Sequence, residues 1–332
     1  MRPWAIVAYG LFAFWWVRVQ GLITDRITAL LAVAGFMVCA SLGKPLRLWW
    51  QAARDLAVYA AMWLLYDTTR GAADGLGMPV QATLGRTLDR IVFLGHDPTV
   101  WLQHRFYDPA RVRWYDQVAS LIYYSHFVVP VVAVAVLWAT DRAQWIRLMR
   151  RMATVLVLAC ITFVVLPTEP PWMASAQGVV APLQRHTARG LLSLGFRGFV
   201  HHWQSALDWT NQVAAIPSLH AAFALLVPVF FLPRVQRRWA RVLMLAYPVA
   251  MLTALVYFAE HWVSDGLIAF AMVGATCAVW HRIETSGLLQ PRIAATVDME
   301  LQACDELGLV AAQEGDDGPE VGRVADGAGG DA

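Results

Sequence analysis

Two short runs set the organisation of this chain: Ile216-Pro217-Ser218-Leu219-His220-Ala221-Ala222-Phe223 and His261-Trp262-Val263-Ser264-Asp265. The 40 residues between the two histidines are mostly apolar and are interrupted by the basic turn 233–238. A membrane-spanning helix needs about 20 residues. The chain can therefore cross a bilayer after His220, turn at the arginines and return to the same face by His261. This hairpin predicts that two histidines and a carboxylate meet at one membrane surface.

The composition is that of a membrane protein. Of 332 residues, 58% are hydrophobic and 15% are charged, whereas soluble domains carry about 25% charged residues. The net charge of +2 and the lack of a concentrated basic patch exclude nucleic acid as an expected partner. The four cysteines have no metal-ligand spacing and form no disulfide framework.

Apolar runs predict an all-α, polytopic transmembrane bundle of about six to eight spans. The runs are 3–17, 27–42, 52–66, 118–139, 145–166, 216–232, 240–259 and 262–280. With eight spans, the basic clusters that follow the second, fourth and sixth runs lie on one side of the membrane. The positive-inside rule makes that side cytoplasmic.

The same reading predicts four regions of chain. Residues 1–70 form N-terminal transmembrane helices, and 71–115 form an outer-face loop with an interfacial helix. Residues 116–284 form the transmembrane core. Residues 285–332 form an acidic, disordered cytoplasmic tail, because ten acids and one base lie between 298 and 332.

The interfacial helix is predicted from four apolar residues that recur at helical spacing between charged residues. The four apolar residues are Leu84, Leu88, Ile91 and Val92. We expect this helix to brace the fold, with direct contact to a substrate as the alternative.

His261 and Asp265 stand at i and i+4, so a helix would place them on one face. A carboxylate bonded to one imidazole nitrogen fixes the tautomer and leaves the other nitrogen free to act as nucleophile or base. An aspartate in an apolar span is costly and therefore indicates a function. His220 supplies a second imidazole for proton transfer. Ser218, just before a helix, brings a hydroxyl and backbone N–H groups to an expected anion site.

Four ordered motifs resemble those of the type 2 phosphatidic acid phosphatase superfamily. Pro217-Ser218-Leu219-His220 and His261-x-x-x-Asp265 are similar to its second and third motifs. Asp116 with Tyr123-Tyr124-Ser125-His126-Phe127, and then 167–172, resemble the inositol phosphorylceramide synthase branch, which includes inositolphosphotransferases. The resemblance covers about 114–280.

The resemblance implies a catalytic trio and a set of substrate contacts. His261 attacks phosphorus and forms a phosphohistidine, Asp265 orients it, and His220 acts as general acid and then as base. Substrate-binding roles fall to Ser218, His126 and Tyr123, although an isolated histidine at 126 would be read as a packing residue. The mechanism implied needs no metal and no cofactor.

This chain also departs from the phosphatase pattern. Ala254 and Leu255 stand where the superfamily usually has Ser-Arg, and the motif Lys-x6-Arg-Pro is absent from the sequence. Some other cation must balance the phosphate charge. The candidates are Arg105, Arg111, Arg113, Arg185, Arg189 and Arg197.

These observations favour a multi-pass enzyme of the plasma membrane, with its site on the outer face and its C-terminus in the cytoplasm. The leading hypothesis is transfer of a phosphorylated head group, with inositol phosphate as one candidate, between lipid substrates. A phosphatase acting on phosphatidate or polyprenyl phosphate is the first alternative. A non-catalytic transporter or scaffold is the second. The oligomeric state stays open.

Overall fold

The fold is all-helical, as predicted. A computed structural model describes residues 2–20, 26–72, 75, 78–198, 200 and 213–286. Within these ranges the β pairing consists of two isolated bridges. The chain divides into two compact units, Met1–Cys277 and Ala278–Ala332. Most of the predicted tail lies outside the described residues, and the other predicted region boundaries stay predictions.

The described helices are numbered here in chain order. They are α1 (Arg2–Gln20), α2 (Arg26–Ser41), α3 (Leu46–Ala72), α4 (Leu84–Val92), α5 (Pro98–Phe106), α6 (Trp114–Ser125), α7 (Val129–Thr140), α8 (Arg142–Val165), α9 (Pro171–Ala176), α10 (Arg189–Ser193), α11 (Leu219–Phe231), α12 (Arg238–Tyr257) and α13 (Val263–Thr285). A 3₁₀ turn, Leu232–Arg234, extends α11.

Three of the described helices, α8, α12 and α13, are long and apolar enough to cross a membrane. The pair α6 and α7 makes a fourth candidate if the two count as one span. Shorter apolar helices cover Trp4–Trp16, Leu30–Ser41 and Leu219–Arg234. Helices able to span a membrane are thus present, and the count of six to eight spans stays a prediction.

The predicted span over 118–139 corresponds to α6 and α7, which meet at a bend of 42°. The bend has a local cause, because Pro130 has no N–H to continue the helical ladder. The three residues at the break make tight i to i−3 hydrogen bonds, among them His126 N to Tyr123 O at 3.3 Å. The bend brings His126 to the junction of the two helices.

Helix α8 forms the centre of the buried core. Leu148, Val155 and Ala159 along it are fully buried, and the helix packs against α3, α7 and α11. Since lipid is as apolar as these side chains, close van der Waals packing rather than the hydrophobic effect holds a membrane-spanning helix against its neighbours.

Three chain segments outside the long helices are joined by backbone hydrogen bonds. Gln81 N donates to Pro167 O at 2.8 Å, and Ala215 N donates to Thr168 O at 3.1 Å. Thr168 is bridged in parallel to both Gln81 and Ala214. These bonds hold the segment that leads into α11, and so they fix the position of the first histidine run.

Candidate active site

His261 and Asp265 form the hydrogen-bonded pair that their spacing predicts. His261 Nδ1 lies 3.0 Å from Asp265 Oδ2, and both side chains are buried. Trp262 N donates to the same oxygen at 2.9 Å. An ionised carboxylate only accepts, so Nδ1 carries the proton and Nε2 keeps its lone pair.

The helix that carries Asp265 is capped by a residue from a distant helix. Trp262 precedes α13 and has no capping oxygen, so the first N–H groups of the helix need another partner. Asp89 of α4 accepts from Val263 N at 3.0 Å and from Ser264 N at 2.7 Å. Its side chain is fully buried, and burial raises its pKa while the hydrogen bonds from Ser264 and Val263 oppose that rise.

Helix α4 turns its polar and small residues inward. Gly85 and Asp89 are buried, whereas Ile91 and Val92 are exposed. A Cβ on Gly85 would lie 2.1 Å from the Trp262 indole, so only glycine allows this approach. A helix therefore lies where the sequence predicts one, and its position at the membrane interface stays a prediction. Within the described structure it braces the start of α13.

His220 is positioned by a local cap. Ser218 Oγ accepts from Ala221 N at 3.3 Å, and Ser218 is fully buried. The hydroxyl predicted to meet an anion therefore caps α11. Ser218 is also absent from the described residues that line the cavity around the histidines, and its substrate-binding role stays a prediction.

Tyr123 and His126 surround the His220 ring. Tyr123 is stacked on His220, with ring centroids 5.2 Å apart and an angle of 19° between the planes. The His126 centroid lies 4.3 Å from that of His220, and the His261 centroid lies 5.8 Å from it. The three predicted histidines therefore form one cluster.

All six candidate arginines lie in the described part of the chain. Of these six, only Arg185 lines the same cavity as the histidines. Its Nε and Nη2 donate to the two carboxylate oxygens of Glu260 at 2.6 and 3.1 Å. The guanidinium also lies over the Trp172 ring, 4.9 Å from its centroid. Burial lowers the pKa of Arg185 and the Glu260 carboxylate raises it, with a net upward shift. Glu260 thus holds a cation beside His261.

Two other candidate arginines are engaged elsewhere. Arg113 pairs with Asp108 at 2.9 Å, and Arg189 donates to the backbone carbonyl oxygens of Asp108 and Pro109. Asp116, in the first motif, accepts from Tyr257 OH at 2.6 Å and from Arg113 N at 2.7 Å. It therefore ties α6 to α12 rather than entering the cluster.

The histidine cluster opens into a cavity of about 450 Å³. His126, His220 and His261 line one end, together with Arg185 and Glu260. Among the described residues, no three His, Cys, Asp or Glu side chains are grouped as metal ligands would be. The side chains present are suited to nucleophilic and acid–base chemistry on an anion.

Sequence reasoning missed two acids of this site. Asp89 carries no sequence signal that links it to α13, because capping from afar depends on tertiary packing. Glu260 did have a signal, since an acid beside a histidine in an apolar run is itself unusual. His201 and His202, adjacent histidines without further metal-ligand spacing in the sequence, lie outside the described residues.

The family model described as the PAP2 superfamily matches residues 88–279, more than half of the 332 residues. The match contains both histidine runs and ends within α13. It confirms the superfamily resemblance, while the synthase-like branch stays a prediction. Helices α1 to α3 lie outside it. No curated protein and no solved structure matches the chain.

Proposed function

This chain belongs to the PAP2 superfamily, a group of phosphatases and phosphotransferases, and from that membership we propose that it transfers a phosphorylated head group between lipids through a phosphohistidine. One observation carries the proposal. His261, oriented by Asp265, lies beside His220 and the Glu260-bound Arg185 in a single cavity.

In the first step, His261 Nε2 attacks the phosphorus of a lipid phosphate. The P–N bond forms while the P–O bond to the departing alcohol breaks, and His220 gives its proton to that oxygen. The Asp265 carboxylate stabilises the positive charge that develops on the His261 ring. His220 is then neutral and is ready to act as a base.

In the second step, an acceptor hydroxyl attacks the phosphohistidine. His220 removes the proton of the hydroxyl, a new P–O bond forms and the P–N bond breaks, so both histidines return to their starting states. The Tyr123 ring stacked on His220 and the nearby His126 support this exchange by keeping the His220 ring in one orientation.

Arg185 supplies the positive charge for the phosphate. The superfamily's usual Ser-Arg is replaced here by Ala254 and Leu255, so the charge must come from another segment. A guanidinium held in a bidentate pair by Glu260 is preorganised, so its positive charge stays at a fixed place beside the histidines. Preorganised donors of this kind lower the barrier to phosphoryl transfer.

Transfer to an alcohol is favoured over hydrolysis by the synthase-like motifs around His126 and Pro170, and inositol phosphate is the candidate head group. Hydrolysis uses the same intermediate with water as acceptor, so a lipid phosphate phosphatase is the second candidate. The three basic clusters between predicted spans support a plasma membrane enzyme with its site on the outer face.

The test is product analysis with the purified full-length protein in detergent. Radiolabelled phosphatidylinositol and phosphatidate are offered with and without an added lipid alcohol. Label that moves to the alcohol supports transfer, and release of free phosphate or inositol phosphate supports hydrolysis. Neither product from either lipid, in a preparation with an intact thermal transition, would contradict both candidates.

A further inference from the structure

The cavity at the histidines is elongated along the helices. On α8 its lining residues Trp145, Met149, Met152 and Leu156 recur every three or four positions, which places them on one face. Those 11 residue steps span about 16 Å at 1.5 Å per residue. The cavity therefore reaches from the histidine cluster well into the helix bundle.

The other walls follow the same direction. Asp55, Tyr59, Met62 and Tyr66 form a stripe on α3, and further lining residues come from α7 and α2. The middle of the cavity is apolar and aromatic. Water would need several polar partners there, so this part of the lining suits hydrocarbon.

A buried ion pair closes the end far from the histidines. Asp55 is buried and accepts from both terminal nitrogens of Arg142, one of them at 3.0 Å. Trp138 Nε1 donates to the same carboxylate at 3.0 Å. Both Asp55 and Trp138 line the cavity. Because its carboxylate oxygens already accept these bonds, Asp55 forms a fixed end wall.

We infer that this cavity holds one hydrocarbon chain of the lipid phosphate, and that the Asp55–Arg142–Trp138 cluster limits the chain length accepted. The head of the lipid lies at the histidines and its chain runs between α3, α7 and α8. The inference rests on the proposed function for the position of the head group. Asp55 and the walls from α2 and α3 lie outside the superfamily match, whereas Trp138 and Arg142 lie inside it, so the proposed end wall joins the N-terminal helices to the superfamily core.

The first arm of the test is photolabelling, which needs no turnover. The probes are single-chain alkyl phosphates of two lengths with a diazirine at the chain terminus, added to the full-length protein in detergent. We expect the long probe to label α8 near Trp145 and Met149, and the short probe to label near Val134. An excess of unlabelled long-chain alkyl phosphate should remove both labels. Labelling confined to exposed positions such as Leu158 would overturn the inference. Labelling that changes neither with the competitor nor with the length of the probe would also overturn it.

The second arm fills the cavity. Val134 lines it, whereas Val136 on the same helix is exposed and does not. Val134→Trp should reduce deep labelling by the long probe about tenfold, equivalent to about 1.4 kcal/mol, because the indole occupies space that the hydrocarbon chain needs. Val136→Trp is the matched control and should label as wild type. Equal labelling of the two variants would contradict the chain site.

The two arms separate this inference from the proposed function. Deep, length-dependent labelling in a protein that turns over no lipid phosphate would leave the chain site standing and remove the phosphotransferase. Turnover of lipid phosphate without deep, length-dependent labelling would leave the phosphotransferase standing and remove the chain site.

Discussion

The two histidines stand at two helix starts that are built differently. At α11, Ser218 caps the helix two residues before His220, so the local sequence contains its own cap. At α13, which follows His261, the capping carboxylate is Asp89, 174 residues from Val263 in sequence. One start is fixed locally, and the other is fixed by tertiary packing.

Loss of a cap should therefore have different effects at the two helix starts, mainly on stability at α11 and also on catalysis at α13. Loss of the local cap affects one helix end, because the ring of His220 is also held by Tyr123. Loss of the distant cap leaves two N–H groups of α13 without their partner, right beside the His261–Asp265 pair. We therefore expect substitutions around α13 to affect catalysis more than those around α11.

The largest effect should come from Asp265→Asn. The amide can hydrogen bond His261 in a way that favours the wrong tautomer, so kcat should fall by about 10³-fold, within the range for misdirected acid–base groups. The shape of the side chain is retained, and thermal unfolding in detergent should change little. Activity close to wild type in a matched preparation would remove the orienting role of Asp265.

Arg185→Lys should follow in size. Lysine keeps the charge but loses the bidentate geometry, so kcat/KM should fall about tenfold or more, since charge-assisted hydrogen bonds contribute about 1.5–3 kcal/mol. Arg189→Lys is the matched control, because the Arg189 guanidinium contacts backbone carbonyl oxygens of the loop. The measurement is steady-state kinetics on both variants. Equal losses of kcat/KM in the two would contradict the role of Arg185 in binding the phosphate.

Asp89→Ala tests the distant cap. We expect a loss of about 2 kcal/mol in stability, typical of a lost cap that leaves buried donors unpaired, together with a lower kcat. Asp97→Ala is the control, because Asp97 pairs with Arg86, which lies on α4 like Asp89, and the cap bonds to Val263 and Ser264 come from Asp89. Thermal unfolding and turnover are measured on both. An Asp89→Ala enzyme with wild-type kcat would show that His261 does not depend on the cap.

Ser218→Ala tests the local cap. Stability should fall by about 1 kcal/mol, while kcat and KM change less than about threefold because the hydroxyl is buried in its bond to Ala221 N. The measurement is a titration of the purified variant with lipid substrate. A large rise in KM would instead support the substrate contact predicted from the sequence.

The smallest effect should come from truncation after Ser286, because the removed tail is not part of the start of α11 or of α13. Turnover in detergent should stay unchanged. Labelling of Cys304 by an impermeant thiol reagent adds a test of sidedness. Reaction only after cell lysis agrees with a cytoplasmic tail, and reaction in intact cells would overturn the predicted topology.

The sequence predicted what depends on local spacing. The i, i+4 pair of His261 and Asp265 and the all-helical class followed from periodicity, and the hairpin brought His220 to His261. The bend at Pro130 and the cap from Asp89 did not follow, because both depend on how helices pack in three dimensions. The selection of Arg185 among six arginines needed the position of Glu260 and Trp172, which spacing alone does not give.

The most direct test of the central claim is a single-turnover experiment with ³²P-labelled lipid phosphate, quenched in detergent before the acceptor is added. The account predicts an acid-labile, alkali-stable label on the peptide that contains His261, absent from His261→Ala. Label on a different residue, or substrate consumed in one turnover with no covalent label in the wild-type enzyme, would contradict it.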